Sequence, residues 1–206
     1  MIDPSYILNL RTPTNENPLR ILMSACFTGT LCGYDGTDNG VYPSARKLLE
    51  YQSVQIIPFC PEDFSFGTPR AMCDIHGGNG YDVLDGKAKV LTENGIDWTQ
   101  GMVRAAHRML EVAQDKQVEL AVLMDISAAC GSQVIYDGNR FGENPIYQKG
   151  PGVCAALLQR NGIQVISQRD FASLELLYAK IDPSHSINSD AIDHHQTEWY
   201  QNYFTH

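Results

Sequence analysis

Leu120-Ala-Val-Leu-Met-Asp-Ile-Ser-Ala-Ala-Cys130 starts as an apolar run and stops on a cysteine, and two earlier stretches do the same: Arg20-Ile-Leu-Met-Ser-Ala-Cys26 and Val54-Gln-Ile-Ile-Pro-Phe-Cys60. Short apolar runs bounded by turn residues read as the buried strands of a parallel sheet. Laid side by side, three such strands bring their cysteines to the carboxyl edge of the sheet, where open α/β folds bind their ligands. Three thiols gathered at one edge point to a metal.

The rest of the chain alternates around these strands. Tyr42–Glu50 reads as a short helix capped by Ser44 or the residues just before it, and a glycine-rich irregular region runs from Gly67 to Gly95 with a candidate strand at Lys87–Leu91. The clearest helix runs from Thr99 to about Lys116, where Met102, Val103, Ala106, Met109, Leu110 and Ala113 recur at helical spacing. After a second irregular loop, Val153–Arg160 reads as a helix stopped by Asn161-Gly162, Ile163–Ser167 as a strand, and Phe171–Ile181 as a helix ended by Pro183. The pattern predicts an α/β fold, a mostly parallel, Rossmann-like open sheet with helices on both faces. The chain reads as one domain over residues 1–206, with its core at about 20–167. Residues 1–19 and 183–206 are expected to pack on the domain or to join it to a second copy as a homodimer.

Composition narrows the partners. A net charge of -9 with 15 Lys and Arg argues against a phosphate-tracking surface, so nucleic acid is not expected and a small molecule is. No apolar run is long enough to span a bilayer, and Met1-Ile-Asp-Pro-Ser5 has no basic segment leading into an apolar core, so no membrane association and a cytoplasmic location are expected. Six cysteines in 206 residues are too dilute for a disulfide scaffold.

A buried small side chain is the ordinary fate of any one free cysteine. Three in equivalent strand-end positions favour chemistry instead. No C-x₂-C pair is present, which removes the closed zinc site and leaves iron–sulfur as the soft-metal option. Cys32 is open as a fourth ligand, a neighbouring thiol or a packed turn residue, while Cys73 and Cys154 read as structural. Gly77-Gly-Asn-Gly80 fits neither nucleotide-loop spacing, and Asp193-His-His-x-x-Glu198 reads as a solvated tail.

Taken in order, Ser24-Ala-Cys26, Cys32-Gly-Tyr-Asp-Gly36, Cys60-Pro-Glu62, Gly67-Thr-Pro-Arg70, Asp82-Val-Leu-Asp-Gly-Lys87, Cys130-Gly-Ser132 and Gly152-Val with Asn161-Gly162 resemble the motifs of the thiouracil desulfidase family. The resemblance spans about residues 20–167. It implies a [4Fe-4S] cluster on Cys26, Cys60 and Cys130, and removal of sulfur from a thiolated pyrimidine without net redox change. Close to the site the chain departs from the family: Ser127-Ala-Ala-Cys130 stands where Ser-Pro-Ser-Cys is usual, and Asp125 stands where a basic residue is common.

The expected roles follow. An iron without a protein ligand would polarise a soft thiocarbonyl, Glu62 would serve as base for the attacking water, and Ser127 would donate or relay a proton. Asp35 and Arg70 are candidate substrate contacts, with turn and ion-pair roles as their alternatives. Two other classes stay open: an iron–sulfur or metal sensor without turnover, and a metal-free enzyme with Cys130 as nucleophile.

Overall fold

The computed structural model describes residues 4–38, 40, 42–138 and 140–205. Its helices are α1 (Pro4–Asn9), α2 (Pro43–Arg46), α3 (Pro61–Phe66), α4 (Gly80–Leu84), α5 (Thr99–Asp115), α6 (Val153–Arg160), α7 (Phe171–Ile181) and α8 (Glu198–Phe204). Its strands are β1 (Leu19–Ser24), β2 (Val54–Phe59), β3 (Cys73–His76), β4 (Lys89–Thr92), β5 (Leu120–Leu123), β6 (Val134–Tyr136), β7 (Tyr147–Lys149) and β8 (Val165–Ser167).

The main sheet is parallel throughout, in the order β2-β1-β5-β8. Leu19 pairs with Val54, Ile21 with Leu120, and Ala121 with Val165. Because successive side chains in a strand point to opposite faces, the apolar runs divide between two cores. Leu19, Ile21, Met23, Leu120 and Val122 join Ile7 and Leu10 from the first helix region and Leu174, Leu177 and Ile181 of α7. Leu22, Ala121 and Leu123 pack instead with Met102, Ala106 and Met109 of α5 and Val153, Leu157 and Leu158 of α6. A sheet covered on both faces demands strands that are apolar on both sides, which is why these segments show no polar alternation.

Strand order places the site. The chain leaves β1 for β2 on one side, then crosses to β5 on the other, so neighbouring connections run in opposite directions from the carboxyl ends of β1 and β5. That reversal opens the crevice in which doubly wound sheets bind ligands.

The irregular regions hold structure that the sequence reading did not supply. Strand β4 overlaps the candidate at Lys87–Leu91, but it pairs antiparallel with β3 outside the main sheet. Residues 131–152 contain a second antiparallel pair, β6 and β7, tied to the first where Gly138 N–H donates to Ile75 O. Asn79 of the glycine-rich stretch caps α4 in a capping box with Asp82. The helix at Tyr42–Glu50 is α2 followed by a 3-10 turn, Lys47–Glu50. Ser44 does not cap it: Pro43 starts the helix, and the Ser44 hydroxyl donates to Gln168 O instead. No helix among the described residues is long and apolar enough to cross a membrane.

Glu119, at the foot of β5, fastens the N-terminal segment to the sheet. It takes Arg11 Nε and Nη2 at 2.7 and 2.9 Å and the Arg20 backbone N–H at 3.0 Å. Burial of the carboxylate opposes its charge, and these donors outweigh it, holding Glu119 below its ordinary value. The stabilisation is complete above the unfolded glutamate value, about 4.3, and is lost as pH falls through the lower folded one. Glu119→Gln should therefore cost about 1–2 kcal/mol at pH 7, read from urea midpoints. The gap to the native protein should close in acid, and a gap that persists there would take the ion pair out of the account.

Candidate functional site

A cleft of about 310 Å³ opens at the carboxyl edge. Cys26 reaches it from the 3-10 turn Ala25–Thr28 that follows β1, Cys60 from the junction of β2 and α3, and Cys130 from the loop beyond β5. Cys32 and Cys73 line it as well, while Cys154 is fully buried inside α6. None of the six cysteines is in a disulfide. Cys73, read as structural, thus borders the cleft from β3.

The donor set suits a soft metal. Cys26, Cys60 and Cys130 all line this one cleft, each arriving from a different element. Three thiolates are the donor set that iron–sulfur clusters use, so the residues present fit such a cluster.

The thiols differ in acidity. Cys60 is held below the usual cysteine value, first by the Cys32 thiol donating to it and then by the Asp63 N–H at 3.4 Å, against the effect of its burial. Cys32 moves the other way, because its proton is held between Cys26 and Cys60. Burial pushes Cys130 well up, and neighbouring Cys154 adds to this. A neutral, buried Cys130 is the opposite of an activated nucleophile.

Glu62 and Arg70 both line the cleft and pair with each other. Arg70 Nη2 and Nε reach Glu62 Oε2 at 2.9 and 3.3 Å, with the Arg70 side chain 4% exposed. Ser127 lines it too, and its Oγ accepts the N–H groups of Cys130 at 3.1 Å and Ala129 at 3.3 Å. The serine therefore shapes the turn that carries Cys130 while its own O–H is left to donate. Asp35 is not among the lining residues: its exposed carboxylate closes a turn onto the Thr37 N–H and hydroxyl.

Several lining residues went unnamed in the sequence reading. Tyr136 and Arg140 come from the second antiparallel pair, where Arg140 lies over the Tyr136 ring and bonds buried Asp74. Tyr34 lies two residues from Cys32, and Arg169 just past β8. Their local sequence carries no signal of a shared cavity. Away from the cleft, Asp170, Asp193 and His195 bring ligand atoms within 4.8 Å of one another. All four carboxylate oxygens already accept bonds, from Gln133, Ser167 and Ser173, so these acids serve to fix the tail.

The Cys130 loop is docked on α6. Val153 and Cys154 N–H groups donate to Ala128 and Ala129 carbonyls at 2.8 and 2.9 Å, satisfying donors that a helix start would leave open. This close approach needs Gly152, where a Cβ would stand 2.6 Å from Ser127 O and 2.7 Å from Ala128 O. Gly152→Ala should push the loop away, lowering stability by about 1–3 kcal/mol and lowering iron uptake on reconstitution. An unchanged melting temperature with full iron loading would show that the loop yields freely.

Known proteins share this arrangement of fold and sequence. The model of the 2-thiouracil desulfurase family matches residues 21–170. The uncharacterized protein YbbK of Bacillus subtilis (strain 168) is 36% identical over 151 residues, 73% of this chain and 96% of that protein. The solved structure of the [4Fe-4S]-dependent thiouracil desulfidase TudS superposes with a TM-score of 0.61 at 31% identity, covering 79% of this chain and 99% of that one. The matched region holds Cys26, Cys60 and Cys130 with Glu62 and Ser127, and the chain belongs to the 2-thiouracil desulfurase family.

Proposed function

We propose that the protein is a [4Fe-4S]-dependent desulfidase that hydrolyses the carbon–sulfur bond of a thiolated pyrimidine or related small thio-compound, giving sulfide and the oxo product. The observation that carries this reading is the meeting of Cys26, Cys60 and Cys130 with Glu62 and Ser127 in one cleft at the strand-order reversal. Those three cysteines would hold the cluster. When bound, it supplies an iron without a protein ligand, a Lewis acid for a soft thiocarbonyl sulfur.

The chain's own groups do the rest. Glu62 takes a proton from the attacking water; both Arg70 contacts go to Oε2, so Oε1 is the oxygen that meets it. Arg70 fixes the carboxylate's direction. Ser127, its lone pairs engaged by backbone N–H groups, donates its proton towards the ring as the carbon–sulfur bond breaks. The tyrosine rings of Tyr34 and Tyr136 supply apolar faces for a planar heterocycle. Asp35, on its exposed turn, could meet a substrate only from the rim. The metal-free reading with Cys130 as nucleophile is disfavoured by the burial that raises that thiol. A cluster and six cysteines without a disulfide suit a reducing compartment such as the cytoplasm.

The test is anaerobic reconstitution, iron and sulfide analysis, and sulfide release from a panel of thiolated bases. Four irons per chain and release from at least one pyrimidine are expected on this reading. Loaded protein that frees no sulfide from any of them would leave the sensor reading ahead.

A further inference from the structure

The chain beyond α7 turns back to the cleft. In the 3-10 turn His194–Gln196, His194 Nδ1 lies 2.6 Å from Asp125 Oδ2, with the side chains 5% and 0% exposed. The other Asp125 oxygen accepts the N–H groups of Ser132 at 3.0 Å and Gln133 at 3.4 Å, and the Asp125 N–H donates to Gln168 Oε1 at 2.9 Å. Asp125 thus straps together the two ends of the loop that carries Ser127 and Cys130. Between Asp125 and Ser127, Ile126 has φ 55°, a left-handed conformation that a β-branched residue holds only where its surroundings over-determine it.

The tail is itself anchored. The His194 N–H donates to Asp170 Oδ1 at 3.2 Å, Asp193 takes the Ser173 N–H and hydroxyl, and Trp199 stacks on the His194 ring with centroids 5.4 Å apart. Apart from Asp170, all of this lies past residue 170, where the family match stops. The carboxylate buried in the ligand loop is therefore held by a histidine from the segment beyond α7.

We propose that His194 is a positioning residue of the site. Through Asp125 it keeps the loop in the strained form that presents Ser127 and Cys130 to the cleft, which makes the C-terminal tail a working part of the centre. In its effect on turnover this rests on the desulfidase reading; in its effect on the loop it stands alone.

The test alkylates the full chain, reduced and free of iron, with iodoacetamide, and follows Cys130 and Cys154 separately by mass spectrometry. His194→Ala should speed Cys130 labelling about 10-fold through local opening and leave Cys154, in the core, unchanged. His194→Asn, whose side-chain amide can place an N–H where Nδ1 stands, should restore the slow rate. After reconstitution, kcat/KM for sulfide release from 2-thiouracil, per iron bound, should fall about 10²-fold in the alanine variant and recover in the asparagine one. Unchanged Cys130 labelling, Cys154 accelerating in step with it, or no rescue by asparagine would each overturn the proposal. If the alanine variant does not fold, His194→Gln, whose amide extends past the Nδ1 position, replaces it: faster Cys130 labelling than in His194→Asn supports the proposal and equal rates overturn it. Native protein that releases no sulfide would count against the desulfidase reading and leave the labelling comparison standing.

Discussion

Replacing Cys26, Cys60 or Cys130 by serine, one at a time, should remove the iron from anaerobically reconstituted protein, while Cys154→Ser should load normally. A serine hydroxyl is a harder ligand than a thiol and does not ionise near neutral pH, so an iron held there would lose its donor. With three protein ligands in the set, loss of any one leaves too few to hold a cluster against oxidation and chelation. Cys154 is the matched control: it is fully buried in α6 with apolar neighbours and does not line the cleft. A hydroxyl there costs about 1–3 kcal/mol of stability and touches no ligand. Cys32→Ser should also keep its iron, because the proposed ligands are Cys26, Cys60 and Cys130 and Cys32 is a neighbouring thiol in the same cleft. Iron content, acid-labile sulfide and the visible absorption of the reconstituted variants decide the matter. Full loading in any member of the trio would mean that the ligand set is wrong, and loss in Cys32→Ser would add a fourth member.

Glu62→Gln should keep the cluster and lower kcat by about 10²–10⁴, the range that general base help supplies. Glutamine has the same shape and can still receive Arg70, so binding of the thio-compound should change little and the loss should appear in kcat, not KM. Sulfide release under single-turnover conditions, normalised to iron, measures the step directly. An unchanged rate would take Glu62 out of the mechanism and leave Arg70 as its structural partner. A matching loss of iron would instead assign Glu62 to holding the α3 start beside Cys60.

The comparison of chain and structure has a physical pattern. β1 and β5 were legible because a strand covered on both faces must be apolar on both sides, and an apolar run is visible in one dimension; β2, at the sheet edge, shows such a run although only Ile57 of it is buried. α5 was legible for a related reason, since its buried residues repeat with the helical period. β6 and β7 were not, because three-residue strands are too short to show a period. The Ser44 cap failed because Pro43, with its fixed φ, begins the helix one residue earlier and frees the hydroxyl for Gln168. Within the site, Cys26 and Cys60 sit just past β1 and β2, as expected, whereas Cys130 is not at a strand end: β5 stops at Leu123 and the loop beyond it brings Cys130 to the same edge. Glu62 lies two residues after Cys60 and arrived with it.

By itself, then, the sequence determined the two-faced parallel sheet, the thiols that follow its strands and the family, because those depend on periodicity and on motifs only a few residues long. Tertiary structure alone decided that Cys73, Tyr136 and Arg140 share the cleft, that Asp35 closes an exposed turn and is not among the lining residues, and that His194 meets Asp125. Such contacts join residues far apart along the chain, and their energy comes from burying charge and polar groups against one another. That cost and its compensation exist only once the chain has closed around them.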